Sequence, residues 1–175
     1  MKGNVVNIYG GPSIGKSTLA ADLYVALKRQ HIDAEYVNEY AKELVYQENT
    51  LALSDQILVF ANQYHRVWTA AAHNQIIITD SPLLLSAIYN PDTSHHFREL
   101  ILEMDGKFNT LNIVLKRTQQ PHTMTGRIHS LTESISIDNR VRALLEDNRM
   151  EYLEYDPMND DVALLAKLIR QEFKL

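Results

Sequence analysis

Nine consecutive residues, Gly10-Gly11-Pro12-Ser13-Ile14-Gly15-Lys16-Ser17-Thr18, carry the strongest chemical signal in the chain. They match the pattern G-x-x-x-x-G-K-[ST], with Gly10, Gly15, Lys16 and Ser17 at the required spacing. Glycines let the main chain wrap a phosphate without Cβ collisions. Successive N–H groups then face inward as an anion nest. A helix starting at the end of the loop adds the positive pole of its dipole. Lys16 supplies a mobile cation for the β- and γ-phosphate oxygens, and the Ser17 hydroxyl is a ligand type suited to Mg²⁺. The stretch 10–18 is therefore expected to hold a nucleotide triphosphate.

Four further residues could complete that chemistry. Asp80 ends the apolar run 75–79, where a carboxylate opposite a phosphate loop can hold Mg²⁺, usually through water; it would also suit a helix start with Ser81 and Pro82. Glu39 follows the run 34–38 and is the candidate general base toward an acceptor hydroxyl, or else a surface glutamate opening the next helix. Arg127 follows Gly126 in the irregular stretch Pro121–Arg127. It is the first candidate for an arginine spread over the phosphoryl oxygens, with Arg117 second, and Asp138 could orient a lid arginine or simply begin a helix. The stretch from about 117 to 137 is thus expected to be a small basic lid. The seven histidines form no metal set, since His95 and His96 diverge on a helix and His122 and His129 lie in the irregular segment 117–130.

These residues need a frame. Short β-branched runs at 5–9, 34–38, 75–79, 111–116 and 152–155 alternate with helical periodicity. Helices are predicted over 16–29, 40–47, 54–73, 83–89, 94–104, 131–149 and the C-terminal stretch from Val162 to Phe173. Within 54–73, Ser54 is the expected cap, and Ile57, Ala61, Tyr64, Trp68 and Ala71 the expected buried stripe. Ser130 and Glu133 have capping-box spacing. Tyr36, Tyr40, Phe60, Tyr64 and Trp68 read either as core or as the lining of a ring-binding pocket. Five strands alternating with helices imply an α/β fold, a parallel sheet with right-handed crossovers. Ligands gather at the carboxyl ends of such strands, where Gly10, Glu39, Asp80 and Arg117 all fall.

Composition narrows the class. The 175 residues suit one domain over 1–175, and 45% hydrophobic with 22% charged residues is ordinary for a globular chain. There is no cysteine, which excludes disulfides, zinc ribbons and thiol nucleophiles and agrees with a reducing, cytoplasmic setting. No apolar run approaches the ~20 residues that span a bilayer, so no membrane association is expected. The N-terminus turns polar too soon for a signal peptide. Net charge is −5, yet residues 116–149 hold six Lys or Arg against four acids, either a local anion site or a solvated helix face.

The phosphate-loop stretch, Asn38-Glu39-Tyr40-Ala41-Lys42-Glu43-Leu44 and Thr79-Asp80-Ser81-Pro82-Leu83-Leu84 together resemble the NadR-type, AAA-like P-loop kinases, a group that includes bacterial ribosylnicotinamide kinases and virus-encoded small kinases. Gly126-Arg127 before the helix 131–149 is similar to that family's lid. The resemblance spans roughly residues 3–155. It implies a P-loop NTPase fold with a five-stranded parallel sheet, ATP and Mg²⁺ as cofactors, and phosphoryl transfer to a hydroxyl of a nucleoside-like acceptor. By position, Lys16 and Ser17 would bind nucleotide and metal, Asp80 would be the second metal carboxylate, Glu39 the acceptor-side carboxylate and Arg127 the lid arginine. Thr125 stands before Gly126 where the bacterial members tend to carry an acid.

Three functions stay open at this stage. The first is a small kinase acting on a nucleoside, a nucleotide or a related metabolite. The second places the acceptor hydroxyl in nucleic acid, on a modified nucleotide in DNA or at a strand end. The third is an acceptor-free ATPase switch.

Overall fold

The computed structural model describes residues 2–89, 94–118 and 131–175. Arg127, His122, His129 and Ser130, and with them most of the expected lid, lie outside the described residues.

Five strands form one parallel sheet: β1 (Asn4–Tyr9), β2 (Ala34–Val37), β3 (Ile76–Thr79), β4 (Asn109–Leu115) and β5 (Leu153–Tyr155), in the order β2-β3-β1-β4-β5. The central strands are apolar because both faces are covered. Val6, Ile8, Ile76, Ile78 and Ile113 point to one face, where α1 (Lys16–Arg29) packs beside α8 (Val162–Phe173). Val5, Tyr9, Ile77 and Val114 point to the other, against α4 (Gln56–Ala71), α5 (Leu85–Tyr89), α6 (His95–Asp105) and α7 (Leu131–Asp147). The odd–even split along β1 is the two-residue period of a strand. In α7, Ile137, Val141, Leu144 and Leu145 are all buried.

β4 begins two residues before the predicted Leu111, because Asn109 takes a place in the ladder opposite Asn4. Its side-chain amide donates to Asn4 Oδ1 at 3.0 Å. Polar strand ends of this kind carry no hydropathy signal.

The predicted helix 54–73 is α4 (Gln56–Ala71), preceded by a short helix that the sequence did not suggest. After α2 (Tyr40–Tyr46), a short α3 (Thr50–Ser54) stops at Asp55, which then caps α4. Asp55 Oδ1 accepts from the amides of Ile57 and Leu58, both at 3.1 Å, so the cap is Asp55 and not Ser54. The buried stripe is also rotated from expectation. Ile57 is 65% and Trp68 55% exposed, while Phe60, Gln63 and Val67 face the sheet. Apolar residues occupy both sides of α4, so periodicity alone could not phase it. Gln63 also reads as a surface residue until its partners are known. Phe60 is core, stacked on Tyr64 and edge-on to Phe97.

Among the described residues no helix is long and apolar enough to cross a membrane.

Candidate active site

The phosphate loop leaves β1 at Gly10 and enters α1 at Lys16. Gly15 has φ 103°, in the left-handed region, which lets the chain turn into the helix. The Lys16 ammonium folds back over the loop, donating to the carbonyls of Gly10 at 2.8 Å and Gly11 at 3.1 Å.

A second cation supports the loop from outside. Arg117 follows β4, the strand paired with β1. Its Nε donates to Asp138 Oδ2 at 2.6 Å, and its Nη2 donates to the Pro12 carbonyl at 3.1 Å. Asp138, on α7, also accepts the Gly11 amide through Oδ1 at 2.5 Å. One carboxylate thus joins loop, strand end and helix. Gly11 is required here by space: a Cβ would strike the Ser134 carbonyl and stand 2.9 Å from Asp138 Oδ1. Asp138 lies in the middle of α7 rather than at its start, so it orients Arg117 and is no cap.

Asp80 follows β3, which pairs with β1 on its other side. It is 4% exposed. Its Oδ2 accepts the Tyr36 hydroxyl at 2.8 Å, and its Oδ1 is buried with no hydrogen-bond partner among the described residues. The Ser17 hydroxyl lies beside the same Tyr36 oxygen. Burial, and then the Asp80 charge, push the Tyr36 phenol well above its ordinary range, so it stays protonated.

Glu39 sits half-buried between β2 and α2, and its position is held from α4. Buried Gln63 accepts the Tyr40 amide at 2.9 Å and donates to the Asn38 carbonyl at 3.3 Å, gripping the main chain on both sides of Glu39. Arg66 adds a two-pronged pair to Glu43 at 2.7 Å on each arm and lies 4.9 Å over the Tyr40 ring. Neither Gln63 nor Arg66 could be found from the sequence, since both act on a corner more than twenty residues away.

A cleft of about 300 Å³ starts at the loop, where Ser13, Lys16 and Ser17 line it, and passes Glu39. It ends in a mostly apolar slot formed by Val45, Leu53, Val59, Leu85 and Tyr89, with Gln56 and Ser86 as polar points. The walls come from α2, α3, α4 and α5. Of the aromatics that could have lined a ring pocket, Phe60 and Tyr64 are core, Tyr36 is at Asp80, and Trp68 is largely exposed. The aromatic in the slot is Tyr89, whose phenol is raised well above its ordinary range by burial and then by the Glu39 charge. Lys16, Ser17 and Glu39 thus share one cleft; Asp80 and Arg117 do not line it, although Asp80 precedes the lining residue Ser81 and Arg117 donates to the carbonyl of the lining residue Pro12.

Residues 5–159 match the family model of an AAA domain. The chain belongs to this AAA-domain family. No curated protein matches it in sequence. Among solved structures, the NadR protein in complex with NR is similar over 99% of this chain, with a TM-score of 0.68 and 18% identity. This chain spans 51% of that NadR protein's length. The Mycobacterium tuberculosis APS kinase CysC is similar as a Cys556Ala mutant, at a TM-score of 0.53 and 13% identity, with 99% of each chain covered. It is similar again in complex with AMPPNP and APS, at 0.53 and 12%, with 99% of each chain covered. The AAA-domain chain therefore shares the fold of P-loop kinases, a five-stranded parallel sheet flanked by helices.

Proposed function

We propose that this AAA-domain protein is an ATP- and Mg²⁺-dependent kinase. It would move the γ-phosphoryl group to a hydroxyl of a nucleoside, a nucleotide or a related small metabolite. The observation that carries this reading is the continuity of the cleft: the phosphate loop, a carboxylate and an apolar slot follow one another within a single cavity. A switch ATPase needs a place for water beside the γ-phosphate, but it has no use for a slot lined by Val45, Leu53, Val59 and Leu85 beyond a carboxylate. Solved proteins of like fold hold NR in one case, and AMPPNP with APS in another. A slot walled by helices suits a small molecule better than a strand of nucleic acid.

The residues take distinct parts. The amides of residues 13–18 and the Lys16 ammonium bind the β- and γ-phosphates, so Lys16 must leave the carbonyls of Gly10 and Gly11. Arg117 steadies the loop at Pro12 and reaches the nucleotide side of the site. Arg127, outside the described residues, keeps its proposed place over the phosphoryl oxygens. Glu39 orients the acceptor hydroxyl and accepts its proton. The slot holds the acceptor's ring or other apolar part.

The residues present fit Mg²⁺. The donor set is hard oxygen, and the Asp80 Oδ1, buried without a hydrogen-bond partner, is the kind of atom a cation satisfies. Ser17 and Asp80 would hold the ion, which supplies charge neutralisation at the phosphate oxygens.

The test is direct. The protein is incubated with ATP, Mg²⁺ and a panel of nucleosides, nucleotides and DNA, and products are weighed for the gain of one phosphoryl group. ADP formation is expected to depend on an added small acceptor and to vanish in Lys16→Ala. Glu39→Gln should keep nucleotide affinity and lose about 10²-fold in transfer. Hydrolysis independent of any acceptor, unchanged in Glu39→Gln, would overturn the kinase reading.

A further inference from the structure

Tyr36 lies on β2 opposite Ile78 of β3, two positions before Asp80. From there its ring reaches forward to the candidate metal site. Its hydroxyl donates to Asp80 Oδ2 at 2.8 Å and lies beside the Ser17 hydroxyl. A carboxylate only accepts, so this bond commits one Asp80 oxygen. The other, Oδ1, is left buried and without a hydrogen-bond partner among the described residues.

We propose that Tyr36 is a positioning residue of the metal site, which by holding Oδ2 of Asp80 leaves its Oδ1 for the divalent cation. Without the phenol, the Asp80 carboxylate loses the bond that fixes which oxygen is spent. Outer partners that orient metal ligands in this way typically change metal affinity by about 10–100-fold when removed. The inference rests on the kinase reading above, in which nucleotide arrives with a divalent ion. It adds a residue that the phosphate-loop motif does not contain.

The experiment uses the full chain and Tyr36→Phe, which deletes one oxygen and keeps the ring. Affinity for the non-hydrolysable nucleotide AMPPNP is measured by calorimetry with Mn²⁺ and again in EDTA. Bound Mn²⁺ is followed independently by electron paramagnetic resonance. Wild type should bind AMPPNP more tightly with Mn²⁺ than without it. In Tyr36→Phe the affinity in EDTA should be unchanged, and the enhancement by Mn²⁺ should fall by about 10-fold or more. A wild type with no enhancement would overturn the metal part of the function and this inference together. An enhancement present in wild type and intact in Tyr36→Phe would overturn only the role of Tyr36. A rise in Mn²⁺ affinity would also overturn it, showing that the phenol blocks the ion rather than preparing its site. An equal loss with and without Mn²⁺ would make Tyr36 a general structural support, and would overturn it too.

Discussion

Two aspartates belong to the candidate site, and their surroundings are opposite. Asp138 is saturated: it binds the Arg117 guanidinium through both oxygens and the Gly11 amide through one of them. Asp80 touches a neutral phenol through one oxygen and keeps the other buried without a hydrogen-bond partner among the described residues. Burying an anion without a cation costs free energy, and a fold keeps such a group only where something else recovers that cost. The difference separates two kinds of acid. Asp138 is a clasp, complete in the folded chain, joining α7 to the loop. Asp80 is incomplete by itself, which is what a cation ligand looks like before its cation arrives.

Replacing each in turn tests that contrast. Asp80→Asn keeps the shape and the bond from Tyr36 but removes the charge. Phosphoryl transfer is expected to fall by about 10²–10³-fold, the range for losing transition-state charge stabilisation. Thermal stability should hold steady or rise, since a buried charge without a cation is removed. Full activity, or a collapse of the melting temperature, would break the distinction. Asp138→Asn should do the reverse. It leaves the Arg117 cation, 18% exposed, without its partner and should cost about 3 kcal/mol in urea denaturation, with turnover altered only several-fold. Transfer lost at constant stability would exchange the two roles.

The smallest effect belongs to a third carboxylate. Asp105 ends α6, just ahead of β4 and so at the opposite end of the sheet from the loop. Burial pushes its carboxyl up to about 6, partly offset by the hydrogen bond from the Asn7 amide. The folded state therefore holds this proton more tightly than the unfolded chain does. Its contribution is neutral below about pH 4, becomes destabilising as pH rises toward 6, and is constant above that. Asp105→Asn should be more stable than wild type by about 3 kcal/mol at pH 7, and the gap should close by pH 4. Denaturation curves at both values measure it. Unchanged turnover would sharpen the comparison by showing that a buried acid outside the cleft lining affects folding alone.

How much of this was legible in the chain depends on the distance over which each feature is decided. The loop 10–18 could be read because its parts are adjacent, and backbone geometry over nine residues is a local matter. The five strands were legible because a sheet covered on both faces leaves unbroken apolar runs, 76–78 most plainly. The places of Asp80 and Glu39 after β3 and β2 were legible because each follows an apolar strand run, and strand ends in a parallel sheet face the ligand side. The face of α4 was misjudged because apolar residues lie all around it, and only contact with the sheet selects Phe60, Gln63 and Val67. Tyr36 gave a faint signal as one ring in a short strand, and nothing in the sequence placed its oxygen between Ser17 and Asp80.

By itself, the order of residues determined the phosphate loop, the alternation of strand and helix, and which acids stand at the strand ends. All of these follow from local geometry and the two-residue period of a strand. Only the folded chain decided that Asp138 would clasp Gly11 from 127 positions away, that Gln63 would hold the corner bearing Glu39, and that the slot would be walled by Val45, Leu53, Val59 and Leu85. Those contacts join segments whose spacing along the chain carries no period, so they come into being when the helices pack on the sheet.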